Sequence, residues 1–282
     1  MAGANPTLRR RQLAVRLREL RQAVGLTVED VANQLLCSVT KISRLETGQR
    51  GASLRDVRDL CQIYGVGESE RDSLMNLARE ARQPGWWQEW DDPSFRPYLG
   101  LEAEATSITH YETTTVPGLI QTEDYARAVI RGYLPNIRQD VLEERVAIRM
   151  KRQELLLRDD PPRYWVMLDE SALHRHVGGP RVMREQLHRI VELADNPHIV
   201  VQVIPFTVGS HMGFDSAFIL LEFADAAVPD TVFVETLWAD FYLEKPSQLK
   251  RFHEVIDHLR AMALNPQASV GRITEIAETF TT

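Results

Sequence analysis

Residues 25–50, GLTVEDVANQLLCSVTKISRLETGQR, constrain the fold more than any other stretch of the chain. Gly25 suits the left-handed position that ends a helix. Thr27 followed by Asp30 forms a capping box, so a new helix begins there, with Val28, Val31, Ala32 and Leu35 as its inward stripe. Ser38 caps a second helix over residues 39–46, which Gly48 stops. Ile42 and Leu45 point inward from it, and Thr40, Lys41, Ser43 and Arg44 are left on or near its outer face. A short helix held by a scaffold, with donors along its N-terminal edge, has the form that a DNA major groove admits.

The flanking residues extend this pattern to an all-α, five-helix domain over residues 1–82. Residues 1–7 read as disordered. A first helix over residues 9–24 carries Leu13, Leu17, Leu20 and Val24 as its core stripe, with Arg16 and Arg21 read as solvated. Arg9, Arg10 and Arg11 suit either a solvated helix start or an arm that reaches a phosphate. Ser53 with Asp56 is a second capping box, opening a fourth helix through Tyr64 with Leu54, Val57, Leu60 and Cys61 inside. A fifth helix over residues 68–82 is built around Leu74, Leu77 and Ala78.

Residues 13–65 resemble an Xre/Cro-type helix-turn-helix DNA-binding domain. The resemblance is carried by LRELR at 17–21, GLT at 25–27, DVANQL at 30–35 and SVTKISRLETGQR at 38–50. It implies a lambda-repressor-like fold, double-stranded DNA as partner and a homodimer on a palindromic operator. Thr40, Lys41 and Arg44 are then expected over base edges, and Ser38, Ser43, Gln49 and Arg50 toward phosphates. Thr27, at the start of the second helix, completes the expected set. The chain departs from the family's pattern at Leu36-Cys37, where the turn between the two helices usually has a glycine.

A chain of 282 residues with 44% hydrophobic content is long enough for two domains. It has no run of about 18 apolar residues, so no membrane span is expected. The N-terminal MAGANPTLRRRQ lacks an apolar leader core, which points to the cytoplasm. Cys37 and Cys61 read as buried thiols rather than a disulfide. The net charge of −7 argues against nucleic acid only until its distribution is considered. Residues 1–82 hold 14 Lys+Arg against 10 Asp+Glu, and the remaining 200 hold 19 against 30. A basic domain carried by an acidic one fits localised phosphate contact.

Residues 84–100, PGWWQEWDDPSFRPYLG, gather three tryptophans and three prolines. With Gln83 they form a Trp/Pro-rich connector whose aromatic surface suits docking rather than free flexing. Beyond it, residues 101–282 read as a mixed α/β domain. Helix leads into an extended run over 101–115, and a Pro-Gly turn precedes a helix that begins near Thr122. A long helix covers 140–157. Strands follow at 163–170, 198–206, 214–223 and 231–236, with an edge piece at 241–243. Helices are expected at 181–194, 246–264 and 267–280.

This part has a resemblance of its own. YETTTVPGLIQTEDYARAV, RMKRQELL, LDESALHRHVGGPRVMREQLHRIVELA, VQVIPF and LRAMAL resemble the uncharacterised C-terminal domain of antitoxin-like Xre regulators. That group is associated with development and secondary metabolism, and many members are encoded beside a short partner protein.

No constellation supports an enzyme, a metal or a cofactor. Asp169 and Glu170 stand near His174 and His176, but the two histidines are two apart and meet no metal spacing. Gly209-Ser210-His211 lacks the nucleophile-elbow pattern, and Gly178-Gly179 lacks a phosphate-loop context. A small-molecule effector site at the strand ends is the remaining candidate, with Tyr111, Glu112, Gln121, Tyr125, Trp165, Glu170, Phe214 and Glu235. The expected function is sequence-specific transcriptional regulation by a homodimer, with the C-terminal domain sensing a small ligand or a protein partner. The alternative is an antitoxin-like protein that holds a short neighbouring protein, its DNA binding being autoregulatory.

Overall fold

Thr27, Ser38 and Ser53 each start a helix, as their positions predict. The computed structural model describes residues 6–83, 96–226 and 228–281. In it α1 spans Pro6–Ala23, α2 Val28–Gln34, α3 Val39–Glu46, α4 Leu54–Ile63 and α5 Glu68–Glu80. Both capping boxes are reciprocal, with the cap hydroxyl accepting from the third residue's N–H while that residue's carboxylate accepts from the cap N–H. Leu13, Leu17, Val31, Ile42, Leu45, Val57, Leu60, Cys61 and Leu74 form one buried cluster. Gly25 and Gly48 have positive φ, at +71° and +69°, and close α1 and α3.

Three local expectations change. Helix α1 begins at Pro6, since proline suits a first helical turn, so residues 6 and 7 are helical rather than disordered. It ends at Ala23, which leaves Val24 46% exposed instead of in the core. Arg21, expected in solvent, is buried at the packing face of α1.

The turn between α2 and α3 shows how the departure at Leu36 is accommodated. Leu36 has φ +49°, the left-handed conformation that a glycine adopts freely. Its side chain is 95% exposed, so it has little packing to offset the strain. A non-glycine residue there costs about 1–2 kcal/mol, against about 0.5–1 kcal/mol of extra chain entropy for glycine. Leu36→Gly is therefore expected to stabilise the helical unit by up to about 1 kcal/mol. A raised thermal midpoint would show it, and an unchanged or lower midpoint would count against strain at this turn.

The described residues up to Glu104, with 223–226 and 228–229, form one unit; Ala105–Glu222 and the chain from Asp230 onward form another. The tryptophans of the connector lie outside the described residues. Its last part is α6, Arg96–Glu102, which buries Tyr98 and Leu99 and is a helix rather than a linker.

The second unit holds one six-stranded sheet in the order β3-β2-β1-β4-β5-β6. The strands are β1 Ser107–Glu112, β2 Arg163–Asp169, β3 Ile199–Ile204, β4 Phe218–Glu222, β5 Thr231–Glu235 and β6 Asp240–Leu243. β1, β2 and β3 run parallel, and β4, β5 and β6 continue antiparallel from β1. The parallel half has near-continuous apolar strands, as expected where helices cover both faces. Its connections are α7 (Glu123–Tyr133) and α8 (Gln139–Gln153) between β1 and β2, then α9 (Glu170–His174) and α10 (Pro180–Leu193) before β3. The chain ends in α11 (Pro246–Met262) and α12 (Pro266–Thr279).

Two element boundaries and one helix differ from expectation. β4 starts at Phe218 rather than 214, and α8 gives way to a 3-10 turn over Glu154–Leu157. The short α9 is additional, opened by the Asp169 carboxylate, which accepts from the Ser171 N–H at 2.9 Å.

Candidate nucleic-acid interface

Helix α3 is a rigid rod with one uncommitted face. Ile42, Leu45 and Glu46 are buried, while Val39, Thr40, Ser43, Arg44 and Thr47 are exposed along the opposite side. Residues three and four apart share a helix face, so these five form one row. The Ser38 hydroxyl accepts from the Lys41 N–H at 3.2 Å and so fixes the N-terminus of the helix. The Thr47 hydroxyl donates to the Ser43 carbonyl at 2.9 Å. Among the described residues, the side chains of Thr40, Arg44, Gln49 and Arg50 make no hydrogen bond or ion pair, and all four are exposed. Gln49 and Arg50 follow directly, with the Arg50 N–H donating to the Arg44 carbonyl at 3.0 Å.

Besides Ser38, whose hydroxyl caps α3, two of the expected contact residues are already committed within the protein. The Thr27 hydroxyl works inside its capping box, donating to Asp30 at 2.6 Å. Lys41 is ion-paired with Asp56 at 2.5 Å, which ties α3 to the first turn of α4. Burial alone would push the Asp56 carboxyl up, but Lys41 and the Ser53 cap together hold it below the ordinary carboxylate range.

The orientation of α3 is set from beneath by a pair that the sequence reading missed. Arg21 Nε donates to Glu46 Oε1 at 2.7 Å and a second Arg21 nitrogen to Glu46 Oε2 at 2.9 Å. A third donates to the Leu26 carbonyl at 2.7 Å. The two side chains are 11% and 5% exposed, so this is a buried fork joining α1, the α1–α2 turn and α3. A signal was present: Arg21 is four residues after Leu17, and Glu46 four after Ile42, both at inward positions. Val39 and Thr47 were also missed, because the outer face was read only as far as its polar residues within the helix.

Comparison with known proteins identifies both parts. Residues 12–74 match the model of a helix-turn-helix domain. Residues 95–275 match that of the domain of unknown function DUF5753. The chain belongs to the DUF5753 family of helix-turn-helix regulators. It is 42% identical over 141 residues to the HTH-type transcriptional regulator DdrOP3 of Deinococcus deserti, an alignment covering 50% of this chain and 97% of that relative. No solved structure matches the chain. No helix among the described residues of this DUF5753 protein is long and apolar enough to cross a membrane.

In the DUF5753 unit the eight candidate effector residues divide between the two faces of the sheet: Glu112 and Glu235 stand near each other, with Arg149, which donates to Gln121 at 3.0 Å, close to Glu235. Tyr111 lies in a core cluster with Met167, Phe218, Val232 and Leu259, against which Trp165 also packs. Glu112, adjacent on β1, points to the other face of the sheet, as does Glu235 relative to Val234 on β5. Gln121 and Tyr125 are buried and hold one turn together: the Gln121 amide donates to the Val116 carbonyl at 2.6 Å, and the Tyr125 hydroxyl accepts the Val116 N–H at 3.1 Å. Trp165 donates to Gln202 at 2.9 Å and lies 4.0 Å under the Arg260 guanidinium. Phe214 is 65% exposed because β4 begins after it.

Glu170 is a structural hub. Its carboxylate is buried, accepting from the Phe206 N–H at 2.8 Å and from Arg272 Nε at 2.8 Å. His174 sits 3.4 Å from it and stacks on Phe206, and His176 packs edge-on against Phe280. Burial pushes the Glu170 carboxyl up, but the Phe206 N–H, Arg272 and His174 outweigh it and hold the group below its usual value. A carboxyl with a depressed folded-state pKa contributes stability above its unfolded pKa of about 4.3, lost as pH falls through the folded one. The stability difference between wild type and Glu170→Gln is thus expected to shrink as pH is lowered below about 4.3. Thermal unfolding across that range checks it, and a difference independent of pH counts against the assignment.

Proposed function

We propose that the protein is a sequence-specific transcriptional regulator that binds double-stranded DNA as a homodimer, with α3 in the major groove, and acts without catalysis. The observation that carries this reading is the exposed row Val39, Thr40, Ser43, Arg44 and Thr47 on a helix fixed from below by the Arg21–Glu46 fork. Arg44 has the geometry to donate two bonds to one guanine, and Thr40 and Val39 suit base-edge and thymine-methyl contacts. Ser38, Ser43, Gln49 and Arg50 lie toward the sugar-phosphate strands. With 14 basic against 10 acidic residues in the first 82, one copy neutralises few phosphates, which favours two copies on a two-fold site. The test is a genomic-fragment binding selection at near-physiological salt. Enriched inverted repeats with half-sites about 10–10.5 bp apart, or a multiple, are expected. Enrichment without any repeated sequence would reduce the role of α3 to phosphate contact.

A second reading gives the C-terminal unit the task of holding a protein partner, as in an antitoxin-like regulator whose DNA binding is autoregulatory. The fully exposed Leu237 and Trp238 on that unit favour it. Sensing of a small molecule has less support, since Tyr111, Gln121, Tyr125 and Glu170 are engaged in the fold.

A further inference from the structure

The switch point of the sheet lies between β1 and β4. From β1 the chain builds outward through β2 and β3, and from β4 it builds outward through β5 and β6 on the other side. In open α/β sheets, ligands bind outside the carboxyl ends of the strands at such a place. β1 ends there at Glu112, and β4, antiparallel to it, begins there at Phe218. Tyr111 is opposite Phe218, and Ile219 is opposite Phe233. The same registers, continued by one residue on β1 and two on β5, place Ala217 between Glu112 and Glu235 on one face of the sheet. A single methyl between two carboxylates leaves a gap in the row.

Charges of both signs surround this gap. His110 Nε2 is 3.5 Å from the Glu112 carboxylate, and Arg149 donates to Gln121 at 3.0 Å. Among the described residues, the side chains of Glu235 and Arg175 make no hydrogen bond or ion pair, and both residues are exposed. Their neighbours behave otherwise: Arg127 pairs with Glu123, Asp124 and Glu143, and Arg181 with Asp124 and Glu185. Tyr133 marks the recess in which the unpaired groups lie. It is 68% exposed, yet burial is the first cause that raises its phenol. The charges of Glu112 and Glu235 raise it further, and Arg149 and Arg175 oppose them. Burial also leads in raising the Glu235 carboxyl, with Asp240 and Glu112 adding to it and Arg149 and Arg152 opposing. Groups that water reaches but that protein surrounds line a crevice rather than a convex surface.

We propose that this crevice binds a small zwitterion, a free α-amino acid, with its ammonium beside Glu235 and its carboxylate beside Arg175. Charge selects the class. An anion alone meets Glu112 and Glu235, and a cation alone meets Arg149 and Arg175. A molecule carrying both signs satisfies the two side chains that pair with nothing among the described residues. The exposed ring of Tyr133 offers apolar contact to the rest of the molecule. These residues are distinct from Tyr111 and Glu170, which the fold engages, and binding here stands whether or not α3 reads bases.

The test uses the full chain and the free L-amino acids as probes, followed by isothermal titration calorimetry. At least one is expected to bind. The tightest is then compared with its methyl ester, which lacks the carboxylate, and its N-acetyl form, which lacks the ammonium. Each derivative should bind about tenfold more weakly or worse, the loss of one charge-assisted pair. Arg175→Gln should weaken the amino acid by a similar factor and remove discrimination against the methyl ester. Glu235→Gln should do the same for the N-acetyl form. Both variants should keep the thermal midpoint, since neither side chain has a partner to lose among the described residues. Failure of every amino acid to bind overturns the proposal, as does binding that both variants leave unchanged or discrimination that survives them.

Discussion

Replacing Glu46 with alanine is expected to lower the stability of the helical unit by about 3–5 kcal/mol, because it leaves the Arg21 guanidinium charged and buried without its partner. The two nitrogen–oxygen bonds of 2.7 and 2.9 Å join side chains that are 11% and 5% exposed. Only the Leu26 carbonyl would remain to Arg21. Domains of this size are stable by about 5–15 kcal/mol, so the loss removes a large share of the total. Arg21→Met together with Glu46→Leu should cost much less than either charge removed alone, since apolar replacements of similar volume satisfy the site. Urea unfolding of the single and double variants measures the coupling directly. A single-variant loss below about 1 kcal/mol would mean the fork is solvated and does not hold α3.

Arg44→Ala has the largest expected effect on recognition. Arg44 is exposed on α3 and, among the described residues, its side chain has no partner, so its removal should leave the thermal midpoint unchanged. On an operator it should cost about 1–3 kcal/mol, or roughly 5-fold to 150-fold in affinity, and relax preference at one base pair in each half-site. Arg50→Ala should behave differently, weakening all sequences alike and lowering the salt slope by about one. Binding isotherms on the selected operator and on a scrambled duplex, each at several salt concentrations, separate the two. If Arg44→Ala weakens the operator and the scrambled duplex by the same factor, α3 does not read bases through this residue.

Local chemistry made the helical unit legible almost residue by residue. Thr27, Ser38, Ser53, Gly25 and Gly48 act through backbone geometry within a few positions, so the sequence carries their meaning directly. The strands of the second unit were legible for the same reason: buried parallel strands such as YWVML read as apolar runs. Their order was not, because β1 takes partners 56 and more residues away, and no local pattern encodes which apolar runs meet. The Arg21–Glu46 fork was not legible because charged side chains are almost never buried unless paired, and no local pattern joins a charge on α1 to one on α3. The effector set divides into two groups for a further reason. Neighbouring strand residues such as Tyr111 and Glu112 point to opposite faces, so strand-end proximity in sequence separates side chains rather than gathering them.

The position of β1 also governs the order in which the chain can acquire structure as it is made. β1 is complete at Glu112, yet the first residue of its parallel neighbour is Arg163, and its antiparallel neighbour begins only at Phe218. All five helices of the DNA-binding unit are complete before β1 is made, and α7 and α8 are then synthesised while that central strand still lacks both partners. The hairpins β4–β5 and β5–β6, by contrast, join segments close in sequence and can form as soon as they emerge. The sheet must consequently close from its two sides onto a strand laid down long before either, and until then that strand's apolar residues and unpaired edges are open to association with other chains.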